Sequence, residues 1–192
     1  MRQITILGLD HRLQWKDTGG GHLDSLLRSM LESDPSVELM AEEANGLPTT
    51  VAQRLAFTFH KPWKNVDMNA IEQHQAGITD ERLERGGGPL MDDEDGYTQC
   101  YLPDVDGRRE QHWLSVINGY RLVRVVLLCG LLHLDTVAEK FQAGHWVTHK
   151  INVCELQWYI ERFGTLTVVE SNGQRWCECR PNRKTKPKSW GA

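Results

Sequence analysis

The architecture of the chain follows most directly from one segment, Val125-Val126-Leu127-Leu128-Cys129-Gly130-Leu131-Leu132-His133. Its first five residues form an uninterrupted apolar run, which is typical of a parallel strand covered on both faces. Gly130 ends this strand, and His133 follows three residues later. Elsewhere, segments with strand character alternate with segments whose apolar residues recur at helical spacing. The alternation predicts an α/β fold with a mostly parallel central sheet, helices on both faces and a C-terminal β-hairpin.

The same patterns place the remaining elements in a single domain, residues 1–180. Strands are expected at 4–7, 37–43, 64–68 and 146–153, helices at 22–32, 50–57, 71–85, 108–120 and 155–162, and hairpin strands at 165–170 and 174–180. Thr136 with Glu139 has the pattern of a capping box, so we expect another helix to begin there. The Gly-rich and acidic residues 86–107 predict a long mobile loop that acts as a lid.

Composition limits the classes of function that the chain can have. The net charge of −4 over 192 residues argues against a nucleic-acid-binding protein, except through the basic tail at 181–192, which we expect to be disordered. No apolar run approaches the ~18 residues that span a bilayer, and no export signal is visible. We therefore expect a cytoplasmic protein without a membrane partner. The chain has five cysteines, and this odd number argues against a disulfide framework.

Chemistry is suggested by a pattern that occurs twice. The first strand ends in Gly8-Leu9-Asp10-His11, and the apolar strand ends in Gly130-Leu131-Leu132-His133. If the two strands are parallel neighbours, both imidazoles lie at the same edge of the sheet, where sites form in α/β proteins. Glu42 and Glu43 end a third strand at this edge.

Arg109 opens a helix that can point to the same place. Such a set can bind a divalent metal through imidazole and carboxylate groups. It can instead activate water directly, with a histidine as base and Arg109 stabilising the developing negative charge. Strand alternation allows only one of Glu42 and Glu43 to face the site.

These features resemble the TraB/Tiki, ChaN-like and erythromycin-esterase superfamily. The shared features are two Gly-x-x-His motifs, a glutamate pair after the second strand, and an arginine before the second motif. Arg109-Glu110-Gln111-His112-Trp113 is similar to that superfamily's Arg-acidic/amide-x-x-Met helix, and the order of elements fits over about residues 3–145. The resemblance implies site roles for His11, His133, Glu42, Glu43 and Arg109.

The resemblance leaves the chemistry open between three kinds of protein. Tiki-like members are metal-dependent proteases, erythromycin esterases hydrolyse an ester without metal with the first histidine as base, and ChaN-like members bind haem. This chain is shorter than many members. It also carries Asp10 before the first histidine, where others often have a small residue or a nearby glutamate. Asp10 is a candidate additional metal ligand or an orienting group.

We therefore expect a hydrolase of ester or peptide bonds that acts on a small molecule or a peptide. Its metal ligands, if Mn²⁺, Co²⁺ or Zn²⁺ is used, are expected among five residues: Asp10, His11, Glu42, Glu43 and His133. The alternatives are a non-catalytic protein that binds haem or an anionic ligand, and a module that binds a partner through its hairpin and basic tail. A pocket that one short chain covers incompletely also leaves room for a homodimer.

Overall fold

A computed structural model describes residues 1–17, 20–44, 49–78 and 98–180. Its main sheet has five strands: β1 (Gln3–Leu9), β2 (Leu39–Glu42), β3 (Trp63–Asn65), β5 (Arg124–Gly130) and β6 (Val147–Asn152). Their order is β3-β2-β5-β1-β6, and every neighbouring pair is parallel. A second, antiparallel sheet has the order β4-β8-β7, with β4 (Thr98–Tyr101), β7 (Thr165–Ser171) and β8 (Gln174–Arg180).

Seven α-helices connect or flank these strands in the described ranges. They are α1 (Arg12–Lys16), α2 (His22–Ser33), α3 (Val51–Thr58), α4 (Ala70–Gln75), α5 (Pro103–Asn118), α6 (Leu134–Ala143) and α7 (Gln157–Phe163). Short 3-10 turns at Leu131–His133 and Val153–Glu155 follow β5 and β6. None of these helices is long and apolar enough to cross a membrane.

The central strand β5 is buried as its apolar sequence predicts. Every residue from Val125 to Gly130 is buried, as expected for a parallel strand with both faces covered. Its neighbour β1 contributes Ile4, Ile6 and Leu7 to the same core. The predicted α/β class, the parallel central sheet and the C-terminal hairpin are thereby confirmed.

The predicted loop 86–107 is wrong over its last ten residues, which form β4 and the start of α5. Helix α5 begins at Pro103, whose fixed φ and missing N–H suit a first helical turn. The Asp106 carboxylate accepts a hydrogen bond from the Leu102 amide at 2.7 Å, which stabilises that start. Gly107, the last residue of the predicted loop, lies inside the helix. Residues 79–97, which include the rest of the predicted lid, lie outside the described residues, as does the tail 181–192.

The predicted capping box at Thr136 is also wrong, because α6 has already begun at Leu134, directly after the 3-10 turn. The Thr136 hydroxyl instead donates to Glu110 Oε1 at 2.6 Å. The predicted helix that begins near residue 50 is capped by Thr50, whose hydroxyl accepts from the Gln53 amide at 3.1 Å.

Candidate active site

The register of β1 and β5 brings the two Gly-x-x-His motifs together. Leu9 pairs with Gly130, so both strands end at the same edge. The glycine of each motif accommodates the other motif. A Cβ at Gly8 would lie 2.9 Å from the Leu134 Cβ, and a Cβ at Gly130 would lie 2.6 Å from His11 Nε2. Both contacts are too short for any residue except glycine without a shift of the neighbour.

Glu43 lies between the two imidazoles. Its Oε2 is 3.5 Å from His11 Nε2, and its Oε1 is 3.7 Å from His133 Nε2. The Gly130 amide donates to Oε2 at 2.9 Å, and the Arg109 guanidinium forms a short hydrogen bond with Oε1. One carboxylate that ends β2 is therefore held by the chain after β1, by the end of β5 and by α5.

Arg109 links Glu43 to two further carboxylates. Its guanidinium donates to both oxygens of Asp67, at 3.0 and 2.9 Å, and to Asp106 Oδ1 at 3.2 Å. The ring of Trp113, one helical turn further along α5, lies 5.5 Å from the guanidinium carbon and donates to Asp67 at 3.1 Å. The Arg109 side chain is only 14% exposed, so its positive charge interacts mainly with these carboxylates inside the protein.

His133 is enclosed by acidic groups, and its side chain is 4% exposed. Its Nδ1 lies 2.9 Å from Glu110 Oε1, and its Nε2 faces Glu43 and Asp106. Glu110 is the centre of its own network. Around its carboxylate lie the Thr136 hydroxyl at 2.6 Å and, at 3.1 Å, both the Tyr101 hydroxyl and the Lys140 ammonium group. Strand β4 thus reaches the site through Tyr101.

His11 is the more accessible imidazole, with 31% of its side chain exposed. Its Nδ1 lies 2.7 Å from Oε1 of Gln14, one turn along α1. The Gln14 side chain is fully buried and also contacts Glu42 and the Glu43 carbonyl. His11 Nε2 therefore lies beside Glu43, while Nδ1 is hydrogen-bonded to Gln14.

The other two predicted carboxylates have different surroundings. Glu42 points to the opposite side of β2 from Glu43 and accepts hydrogen bonds from Gln14 at 2.9 Å, Thr50 at 2.6 Å and Trp63 at 2.8 Å. The Asp10 carboxylate is engaged by the Arg12 guanidinium, at 2.6 to 3.0 Å, and by the Tyr159 hydroxyl at 3.0 Å. The imidazole pair is thus bridged by Glu43, with Glu42 in contact through Gln14.

The electrostatics of the cluster keep Glu43 ionised. Burial opposes its charge, but attraction to His11, Arg109 and His133 outweighs burial and lowers the pKa of Glu43 to about 2. For His133 burial also disfavours the charge, yet the neighbouring Glu43 and Glu110 raise its pKa above the ordinary value. Burial raises the pKa of Asp106. His133 therefore retains both ring protons to a higher pH than a free histidine.

A divalent metal at the cluster would share the Glu43 carboxylate with other partners. Both Glu43 oxygens already accept hydrogen bonds, from Arg109 and from the Gly130 amide. Among the described residues, no group of three or more His, Cys, Asp or Glu side chains is arranged to hold a metal ion. The predicted metal ligands remain a prediction for experiment.

Several polar residues of the cluster were not anticipated from the sequence: Gln14, Asp67, Asp106 and Glu110. Gln14 and Asp106 each lie three residues from a predicted site residue on one helix, a spacing that places side chains on one face. Glu110 lies next to Arg109 in the motif that carries the resemblance. Asp67 follows β3, so the strand-end rule that pointed to Glu42 and Glu43 applies to it as well.

Comparison of the chain with protein-family models, with curated proteins and with solved structures finds no match in any of the three. The resemblance to the TraB/Tiki, ChaN-like and erythromycin-esterase superfamily therefore stays a prediction.

Proposed function

We propose that the protein is a metal-independent hydrolase of ester or peptide bonds, with His11 as the general base. The observation that carries the proposal is the position of His11 Nε2. It belongs to the more exposed imidazole of the pair, and it lies 3.5 Å from a carboxylate that stays ionised. A base needs this combination of access to substrate and a neighbouring negative charge that stabilises its protonated form.

The reaction would begin with a water molecule bound beside His11 Nε2 and Glu43 Oε2. The water oxygen attacks the carbonyl carbon while His11 Nε2 takes one of its protons. The imidazolium then returns that proton to the leaving alcohol or amine as the bond to the carbonyl carbon breaks. The products are a carboxylic acid and the alcohol or amine, and Glu43 stabilises the charge on His11 between the two transfers.

We assign positioning roles to Arg109 and His133. Both are buried, and both contact Glu43. Their positive charges hold the Glu43 carboxylate in place and ionised next to His11. This differs from the role expected for Arg109 from the sequence, where it would stabilise the negative charge on the substrate. Its hydrogen bonds to three carboxylates favour a positioning role for Arg109.

The test is hydrolysis of p-nitrophenyl esters and of a fluorogenic peptide panel by chelator-treated protein. Wild type is compared with His11→Ala and with a matched control, His149→Ala, which removes an exposed imidazole on β6. We expect activity in wild type and in the control and none in His11→Ala. Absence of activity in chelator-treated wild type would contradict the proposal.

Two further arms identify what replaces the proposal if it fails. Activity that returns only with Mn²⁺, Co²⁺ or Zn²⁺ would indicate a metal-dependent hydrolase. A Soret band on addition of haem that is lost in His11→Ala, together with no hydrolysis, would indicate a binding protein.

A further inference from the structure

Gln14 has an amide whose orientation is fixed by its neighbours. Its nitrogen donates to Glu42 Oε1 and to the main-chain oxygen of Glu43, each at 2.9 Å. A main-chain carbonyl oxygen can only accept, so the Gln14 nitrogen must face it, and the same nitrogen then donates to Glu42. The Gln14 oxygen then faces His11 Nδ1 at 2.7 Å, and this oxygen can only accept.

It follows that His11 Nδ1 must carry a proton. In a neutral imidazole one ring nitrogen carries the proton and the other holds the lone pair, and the hydrogen bond at one nitrogen sets the state of the other. A proton on Nδ1 therefore leaves the lone pair on Nε2, the nitrogen beside Glu43. This is the form that a base acting through Nε2 requires.

We infer that Gln14 and Glu42 are positioning residues that fix the tautomer of His11, with Glu42 acting only through Gln14. The inference deepens the proposed function, because it explains how His11 is prepared as a base. The tautomer itself does not depend on whether the protein hydrolyses anything.

Glu42 suits this role because its carboxylate is completely buried and fully used. Thr50 and Trp63 donate to its Oε2, and Gln14 donates to its Oε1. An amide in place of the carboxylate keeps the volume but supplies a donor on one side. With the amide oxygen held by Thr50 and Trp63, the new NH₂ group would face the Gln14 NH₂ group. Turning the Gln14 amide relieves this contact and brings its NH₂ group to His11 Nδ1, but it also places the Gln14 oxygen against the Glu43 main-chain oxygen. The variant therefore weakens the preference for the present Gln14 orientation and does not abolish it.

The experiment is to determine the His11 tautomer from two-bond ¹H–¹⁵N correlation spectra of the ring, at a pH at which His11 is neutral. The His11 signals are identified by their loss in His11→Gln. We expect Nδ1–H in wild type and a shift toward Nε2–H in Gln14→Leu. In Glu42→Gln, which does not alter any group bonded to His11, we expect a partial shift in the same direction. Glu139→Gln makes the same chemical change at an exposed position and should leave the tautomer as in wild type.

An Nε2–H tautomer in wild type would overturn the inference without any variant. An unchanged tautomer in a folded Glu42→Gln protein would remove Glu42 from it, and an unchanged tautomer in Gln14→Leu would remove Gln14. In the hydrolysis assay, Glu42→Gln should lower kcat by the same factor as it lowers the Nδ1–H fraction of His11, with little change in KM, as expected for a base in the wrong tautomer. If wild type hydrolyses nothing, the proposed function fails, while the spectra still decide the tautomer.

Discussion

Replacing Gly130 by alanine tests the close packing of the two motifs. The backbone at Gly130 has φ −58° and ψ 145°, which any residue adopts without strain. The added methyl group is therefore the entire perturbation. It would lie 2.6 Å from His11 Nε2 and 3.3 Å from the two adjacent ring carbons.

The size of the effect follows from these contacts. Ordinary contact needs about 3.5 Å, so the imidazole must retreat by about 1 Å. It has room to do so toward solvent, because 31% of the side chain is exposed. We therefore expect a modest loss of stability, about 1–3 kcal/mol for overpacking. Misplacement of a reacting group by 1 Å costs about 100-fold in rate, so the loss of activity should be disproportionate.

The assay measures ester hydrolysis, the thermal unfolding midpoint and the ring signals of His11 in Gly130→Ala. The matched control is Gly8→Ala, where the new methyl group meets Leu134 and Leu131 and does not meet an imidazole. Both variants should lose stability, but only Gly130→Ala should shift the His11 ring signals and lose activity beyond its loss of folded protein. Unshifted His11 signals and full activity in Gly130→Ala would show that position 130 does not pack against the His11 ring.

Three further predictions concern stability. Gly107→Ala should raise the free energy of unfolding by about 0.5–1 kcal/mol, measured by urea titration, because Gly107 lies inside α5 and an added Cβ would meet no described atom within 4 Å. Thr50→Ala should lower it by about 1–3 kcal/mol, since the variant loses both the cap of α3 and a hydrogen bond to Glu42; a loss no larger than that of a surface alanine substitution would argue against both contacts. The pKa of Glu43 is lower in the folded protein than in the unfolded chain, so the stability that its ionisation provides, at most about 3 kcal/mol, is present above pH 4.5 and is lost as the pH falls toward about 2. Urea titrations across this range should show that part of the pH dependence in wild type and not in Glu43→Gln.

The parts of the fold that were predicted correctly are those with a strong periodic signal. The apolar run at 125–129 and the helical spacing of leucines in α2 each have one structural interpretation, because only one arrangement buries their apolar residues. One element that was missed, β4, is four residues long and contains no aliphatic residue. It is a strand because β8 pairs with it, which is a long-range fact that its own sequence does not contain.

The site residues divide in the same way into those that the sequence predicted and those that it did not. The meeting of His11 and His133 could be predicted, because parallel neighbouring strands end at one edge. The choice between Glu42 and Glu43 could not, since alternation says only that they differ. Arg109 was expected to face a substrate, whereas it faces Asp67 and Asp106. Asp106 lies three residues before Arg109 on α5, whereas Asp67 follows β3, and only the assembled fold brings its carboxylate to the guanidinium.

The contact between Tyr101 and Glu110 makes the small sheet part of the site's support. Strand β4 carries Tyr101 and pairs with β8, while Arg175 of β8 lies over the Tyr101 ring and forms an ion pair with Asp135 of α6. Fraying of the C-terminal hairpin would therefore loosen a side chain that touches Glu110, the partner of His133. A truncation before Thr165 is then not a route to a minimal active core. The last strands in the described chain thus brace the candidate site at the ends of β1 and β5.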